Sequence, residues 1–116
     1  MAIIDGDTLA VRARIWLGQE IETRVRLKGI DAPEMNGRCE RERVLARAAK
    51  AFLAQQVAAD EGQFTYRLRE VRWDKYGGRV IARLERPDGQ DVGDALVAAG
   101  LARPYGGTAR QGWCDG

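Results

Sequence analysis

Apolar and polar positions alternate through the first quarter of the chain. From Leu9 to Leu17 ("LAVRARIWL") hydrophobic residues largely alternate with Arg, and from Ile21 to Leu27 the residues Ile21, Val25 and Leu27 share one face, with Arg24, Arg26 and Lys28 on the other. Two strands are predicted, and the "GQE" between them reads as a hairpin turn. From Glu40 to Ala59 the period becomes helical: Leu45, Ala49, Phe52, Leu53 and Val57 form an apolar stripe, and Arg41, Arg43, Arg47 and Lys50 lie largely off it on a solvated face. Alternation returns from Gln63 to Trp73, where Phe64, Tyr66 and Leu68 share a side, and after "DKYGG" a further strand runs from Arg79 to Glu85. A short helix over about Asp91 to Ala99 ends at Gly100, a residue suited to the left-handed position beyond a helix C-terminus. The tail "RPYGGTARQGWCDG" reads as loop. Strands, helix, strands, helix with no repeat and no internal linker predict an α+β fold in a single domain over residues 1–116; five short strands closing on themselves would make a small barrel.

Composition agrees with this and removes much of the catalytic repertoire. At 116 residues and 12.9 kDa the chain has room for one core, and 45% hydrophobic residues mark it as globular. Net charge is only +2, but 16 of the 19 basic residues are Arg, the side chain that meets phosphate or carboxylate in a two-pronged contact. That bias suits a polyanionic partner; it also suits an ordinary solvated surface. The chain contains no His and no Ser, which excludes a Ser-His-Asp triad, a Cys-His pair, a His general base and every His-bearing zinc site. Chemistry must run on Asp, Glu, Arg, Lys and Tyr, with or without a metal held by oxygen.

Cys39 and Cys114 are too far apart in sequence for a CxxC motif. They either form one disulfide, which by chain entropy would stabilise the fold by up to roughly 4.5 kcal/mol, or remain two unrelated buried thiols. A disulfide implies an oxidising compartment, periplasmic or secreted. The opening "MAIIDGDT" has no signal-peptide character, and no apolar run approaches the ~20 residues of a membrane span. Its start inside an apparent strand suggests a trimmed chain.

Two acidic stretches carry the candidate chemistry. In "DGDT" Asp5 and Asp7 flank Gly6 and fall on the same side of an extended strand, and in "RLKGIDAPE" Asp31 follows the second strand while Pro33 sets a turn that orients Glu34. Asp and Glu without His or Cys are the ligands of a hard cation, Ca²⁺ or Mg²⁺. An EF-hand is excluded, because the position that should hold its bidentate Glu is Trp16. Each stretch taken alone is ordinary Asp-Gly or Asp-x-Pro turn chemistry.

In combination the motifs say more. "DGDT", "RVRLKGIDAPE" and "DKYGGR", in that order and on those elements, resemble the staphylococcal nuclease family, and the resemblance runs from Ile3 to Tyr105, including "ALVAAGLARPY". It implies a five-stranded OB-fold barrel with two to three helices packed on it. It also implies Ca²⁺-dependent hydrolysis of phosphodiesters in single-stranded or denatured DNA and RNA, leaving 3′-phosphate ends, by a monomer. Carried over by position, the resemblance puts the metal on Asp7, Asp31 and the backbone carbonyl of Ala32, with Asp5 behind them. Glu34 becomes the general base and Arg26 one of two arginines that neutralise charge growing on the phosphoryl oxygens. Lys75 and Tyr76 match residues that contact the nucleotide's phosphate, and Tyr105 one that stacks a base. Ca²⁺ in preference to Mg²⁺ rests on the resemblance alone.

The second arginine is where the sequence departs. "DKYGGR" puts Gly78 at the family's arginine position and Arg79 one residue later, and a one-residue slip in a strand reverses the side chain's face. Gly permits a bulge or longer turn that would restore the aim, so Arg79 is expected to take the role. The family's long C-terminal helix is also missing, its place taken by the Cys114 tail. Two other readings stand beside an active nuclease: a catalytically silent OB-type module that binds single-stranded nucleic acid or a protein ligand, and a structural domain of an envelope assembly.

Overall fold

The computed structural model describes residues 2–16, 19–58, 66–74, 78–105 and 112–114. Its elements in chain order are β1 (Ala2–Asp5), β2 (Thr8–Trp16), β3 (Gln19–Leu27), β4 (Ile30–Asp31), α1 (Glu40–Ala58), β5 (Arg67–Trp73), β6 (Arg79–Glu85), α2 (Val92–Ala98) and β7 (Arg103–Pro104). The expected α+β class is present. β2 and β3 form the expected antiparallel hairpin, in a register that sets Leu9 opposite Val25, both fully buried. β3 then pairs in parallel with β6, Val25 beside Val80 and Leu27 beside Ala82, and β5 pairs antiparallel on the far side of β6. The resulting order is β1-β2-β3-β6-β5. Five strands make one sheet, as expected, but among the described residues its edge strands β1 and β5 do not pair with each other, so the sheet is open.

One face of this sheet and the two helices enclose the core. The α1 stripe buries Ala49, Leu53 and Val57 in one cluster with Leu27, Val80, Leu84 and the α2 residues Val92 and Leu96, and Ala46 is fully buried as well. Leu45 and Phe52 are only partly buried. Each of the fully buried leucines is worth roughly 1.5–3 kcal/mol relative to exposure. Helix ends are satisfied by side chains and turns: the Tyr66 hydroxyl donates toward the carbonyls of Gln56 (3.1 Å) and Val57 (2.9 Å) in the last turn of α1. Asp91 caps α2 by accepting from the Asp94 amide at 2.9 Å. After α2, Gly100 takes φ 75°, and the amides of Gly100 and Leu101 donate to Val97 and Leu96, closing the helix as its sequence predicts.

One strand pair was not legible. β4 and β7 form a separate two-stranded ribbon, Ile30 opposite Pro104 and Asp31 opposite Arg103, and the Tyr105 amide donates to the Gly29 carbonyl at 2.9 Å. This ribbon draws the start of the expected loop-like tail against the residues that follow β3. Among the described residues no helix is long and apolar enough to cross a membrane.

Candidate active site

Asp7 owes its place to a close approach that only glycine permits. The Gly6–Asp7 turn joins β1 to β2 and packs on α1 so tightly that a Cβ on Gly6 would lie 2.8 Å from the Ala49 Cβ and 3.1 Å from that of Ala32. The carboxylate that follows is fixed at both oxygens: Thr8 donates its hydroxyl to Oδ1 at 3.0 Å and the Ala32 amide donates to Oδ2 at 3.2 Å. The Asp7 carbonyl accepts from the Leu27 amide at 2.8 Å, pinning the end of β3. Asp31, on β4, is likewise buried, and the Ala32 amide beside it is the donor that joins the two acidic stretches.

They meet around Arg26. Its Nη2 lies 3.8 Å from Asp7 Oδ2 and 3.7 Å from Asp31 Oδ1, and donates to the Ile30 carbonyl at 3.2 Å, while Nη1 donates to the Leu27 carbonyl at 3.3 Å. In the β2–β3 register Arg26 stands opposite Thr8, on the sheet face away from Val25 and Leu27, and its side chain retains 17% exposure. The guanidinium lies 5.7 Å from the centre of the Tyr105 ring, so Tyr105 arrives at the site through the β4–β7 ribbon.

Glu34 is held differently. Buried Pro33 leads into a turn closed by the Gly37 amide donating to the Glu34 carbonyl at 3.0 Å. A residue that sequence reasoning passed over holds this turn from behind. Glu42, in the first turn of α1, is buried and accepts from the Glu34 amide at 3.1 Å (Oε2) and from the Arg38 amide at 3.3 Å (Oε1). It lies three residues after Cys39, whose carbonyl accepts the helix's opening bond from Arg43, and its carboxylate reaches back past the start of the helix to the Arg38 and Glu34 amides. No capping-box signature marks this role in the sequence, because Cys39 stands where Ser or Thr would. Gly37 leaves room for this carboxylate, since a Cβ there would run into the Glu42 side chain and displace it from the two amides. Cys39 and Cys114 stand at disulfide distance, 2.10 Å between sulfurs, and the Cys114 sulfur is 3.9 Å from Glu42 Oε1.

Asp5 completes the acidic group. Its carboxyl is pushed above the ordinary aspartate value, first by burial and then by the charges of Asp7 and Glu34; the Gly6 amide, which donates to it at 2.7 Å, and Lys50 oppose the rise. Lys50, expected on a solvated face, thus stands near the acids. Asp5, Asp7, Asp31 and Glu34 gather on one side of the sheet with Arg26 and Lys50 among them. No three acids come together as a ready-made cage among the described residues. The donors on hand, Asp7, Asp31 and the Ala32 carbonyl, are all oxygen and fit a hard cation.

Arg79 is on the correct face but is otherwise engaged. Gly78 adopts φ 76°, a turn conformation suited to glycine, and β6 begins with Arg79 beside Arg24, hence on the same sheet face as Arg26. Its guanidinium pairs with the buried carboxylate of Asp74. Lys75 and Tyr76 lie outside the described residues.

An uncharacterized endonuclease of Escherichia coli is 31% identical over 103 residues, a match covering 89% of this chain and 57% of that protein, so the chain spans little more than half of its relative's length. Residues 24–112, which include Arg26, Asp31, Glu34 and Arg79, match the family described as Staphylococcal nuclease homologue. That match takes in well over half of the sequence, and the chain belongs to the staphylococcal nuclease homologue family.

Proposed function

We propose that this protein is a Ca²⁺-dependent endonuclease that hydrolyses phosphodiester bonds of single-stranded or denatured DNA and RNA. The observation that carries this reading is the convergence of the buried Asp7 and Asp31 carboxylates on Arg26, in a chain of this family and with an endonuclease-named relative. Asp7, Asp31 and the Ala32 carbonyl would hold the ion, which supplies positive charge at the scissile phosphate. Glu34 takes a proton from the attacking water as its oxygen bonds to phosphorus and the bond to the departing ribose oxygen breaks. Arg26, whose guanidinium is already aimed into the site, neutralises the extra charge on the five-coordinate phosphorus. Arg79 serves as the second arginine by turning from Asp74 toward the phosphate, and Lys75, Tyr76 and Tyr105 bind the nucleotide. The Cys39–Cys114 pair suits a secreted or periplasmic setting.

The Asp74–Arg79 pair favours a second reading, a silent module that binds nucleic acid without cleaving it. Cleavage of heat-denatured DNA by the wild type and by Glu34→Gln, in millimolar Ca²⁺ and in chelator, separates the two. Ca²⁺-dependent cleavage that falls by about 10²–10⁴-fold in the variant is expected. A wild type that binds the DNA in Ca²⁺ and leaves it intact would sink the nuclease reading.

A further inference from the structure

The sheet face that carries Arg26 continues, away from the acids, as a basic surface. Directly opposed residues of paired strands share a face, so with Val25, Leu27, Val80, Ala82 and Leu84 in the core, the opposite face is read off the registers. Arg24 stands beside Arg79; Arg26 stands beside Ile81, which has Arg72 on its other side; Arg83 faces Arg69; and Glu85 faces Arg67. Neighbouring strands are ~5 Å apart and residues two apart along a strand ~7 Å. Carboxylates engage part of this set: Glu70 takes Lys28 and Arg83, Glu85 takes Arg69, and Asp74 takes Arg79. Arg24, Arg67 and Arg72 are exposed and have no carboxylate partner among the described residues.

Arg24 is set against Arg79 and Arg69 against Arg83, with Asp74, Glu85 and Glu70 offsetting the repulsion of all but Arg24. The strand itself is bent to place one of them. Arg69 and Arg72 are three residues apart, so in a regular strand they would face opposite sides. A bulge between them supplies the extra residue that turns Arg72 to the arginine face, with Glu70 in the left-handed region at φ 55°. Arginines on β5 also protect an edge strand from pairing with other chains. That explanation does not reach Arg24, which lies on the inner strand β3.

We propose that this face is the track for a single nucleic-acid strand, its phosphates lying across Arg24, Arg67 and Arg72 on the way to the Asp7–Asp31 site; the inference rests on the nuclease reading of that site. A single strand follows a twisted sheet and lays its bases on guanidinium planes, whereas a stiff duplex reaches fewer of these residues at once. The test is the triple variant Arg24→Gln, Arg67→Gln, Arg72→Gln, with thermal melting to show that its fold is unchanged. In chelator, binding of a fluorescein-labelled thymidine 20-mer is followed against salt. The plot of log affinity against log salt is expected to lose about 2 units of slope, at about 0.7 per phosphate contact removed. In Ca²⁺, KM for the 20-mer is expected to rise about tenfold or more, while kcat and the cleavage of a dithymidylate stay as in the wild type. An unchanged slope and an unchanged 20-mer KM would overturn the track, and equal losses on a duplex 20-mer would overturn its preference for single strands. If the wild type cleaves nothing, the nuclease reading fails, and the binding arm in chelator still decides whether this face holds the strand.

Discussion

The two acidic arms of the site are built by different means. Asp7 and Asp31 are fixed by the core itself: Gly6 lies against Ala49 and Ala32, β3 ends on the Asp7 carbonyl, and Arg26 joins the two carboxylates. Glu34 sits on a turn that core packing does not reach in the same way, and its backbone is held by Glu42 and by the Cys39 end of α1. Cation binding and base placement should therefore fail separately. The largest effect is expected from Cys39→Ala with Cys114→Ala, which removes up to about 4.5 kcal/mol of stability. Calorimetry below the lowered melting point should find Ca²⁺ affinity close to that of the wild type, because the bond lies on the Glu34 arm. Gly6→Ala should cost about 1–3 kcal/mol, since neither Ala49 nor Ala32 can withdraw without moving backbone. It should also weaken Ca²⁺ affinity, and unchanged affinity would show that Asp7 does not depend on that close approach. Smallest is Glu42→Gln, about 1 kcal/mol for one lost hydrogen bond, since the side-chain amide keeps one acceptor oxygen for the two backbone donors of Glu34 and Arg38. With it, kcat should fall about tenfold through misplacement of Glu34 while Ca²⁺ affinity holds, and a fall in affinity instead would merge the two arms.

What the sequence disclosed follows the same division. Periodicity placed β2, α1 and β6 to within a residue and β3 to within two, since Gln19 and Glu20, expected in the turn, pair with Trp16 and Arg14 as strand; the apolar faces of these elements are long enough to show a period. The acids, Arg26 and the turn at Gly78 were legible from motif order. β4 and β7 were not, since a two-residue strand has no period and its partner lies far along the chain. Glu42 was passed over because, on a helix, an acid in the first turn looks like any other favourable charge. Its role appears only when the turn it holds is seen behind it. The engagement of Arg79 by Asp74 escaped for a related reason: register fixes a side chain's face, and not the partner it finds there. The open sheet is the remaining departure from a closed barrel.

The parallel pairing of β3 with β6 has a consequence in time. Arg24 meets Arg79, and Arg26 meets Ile81, across 55 positions of sequence, with α1 and the strands β4 and β5 between them. Contacts so distant form only after the intervening chain has closed, at a cost in loop entropy that local turns avoid. The hairpin of β2 and β3 can form early, and with it the approach of Thr8 to Arg26, but the sheet face shared by Arg26 and Arg79 cannot. A refolding chain should regain helix signal before it regains the cleavage proposed for it, and the return of that cleavage should time the pairing of β3 with β6.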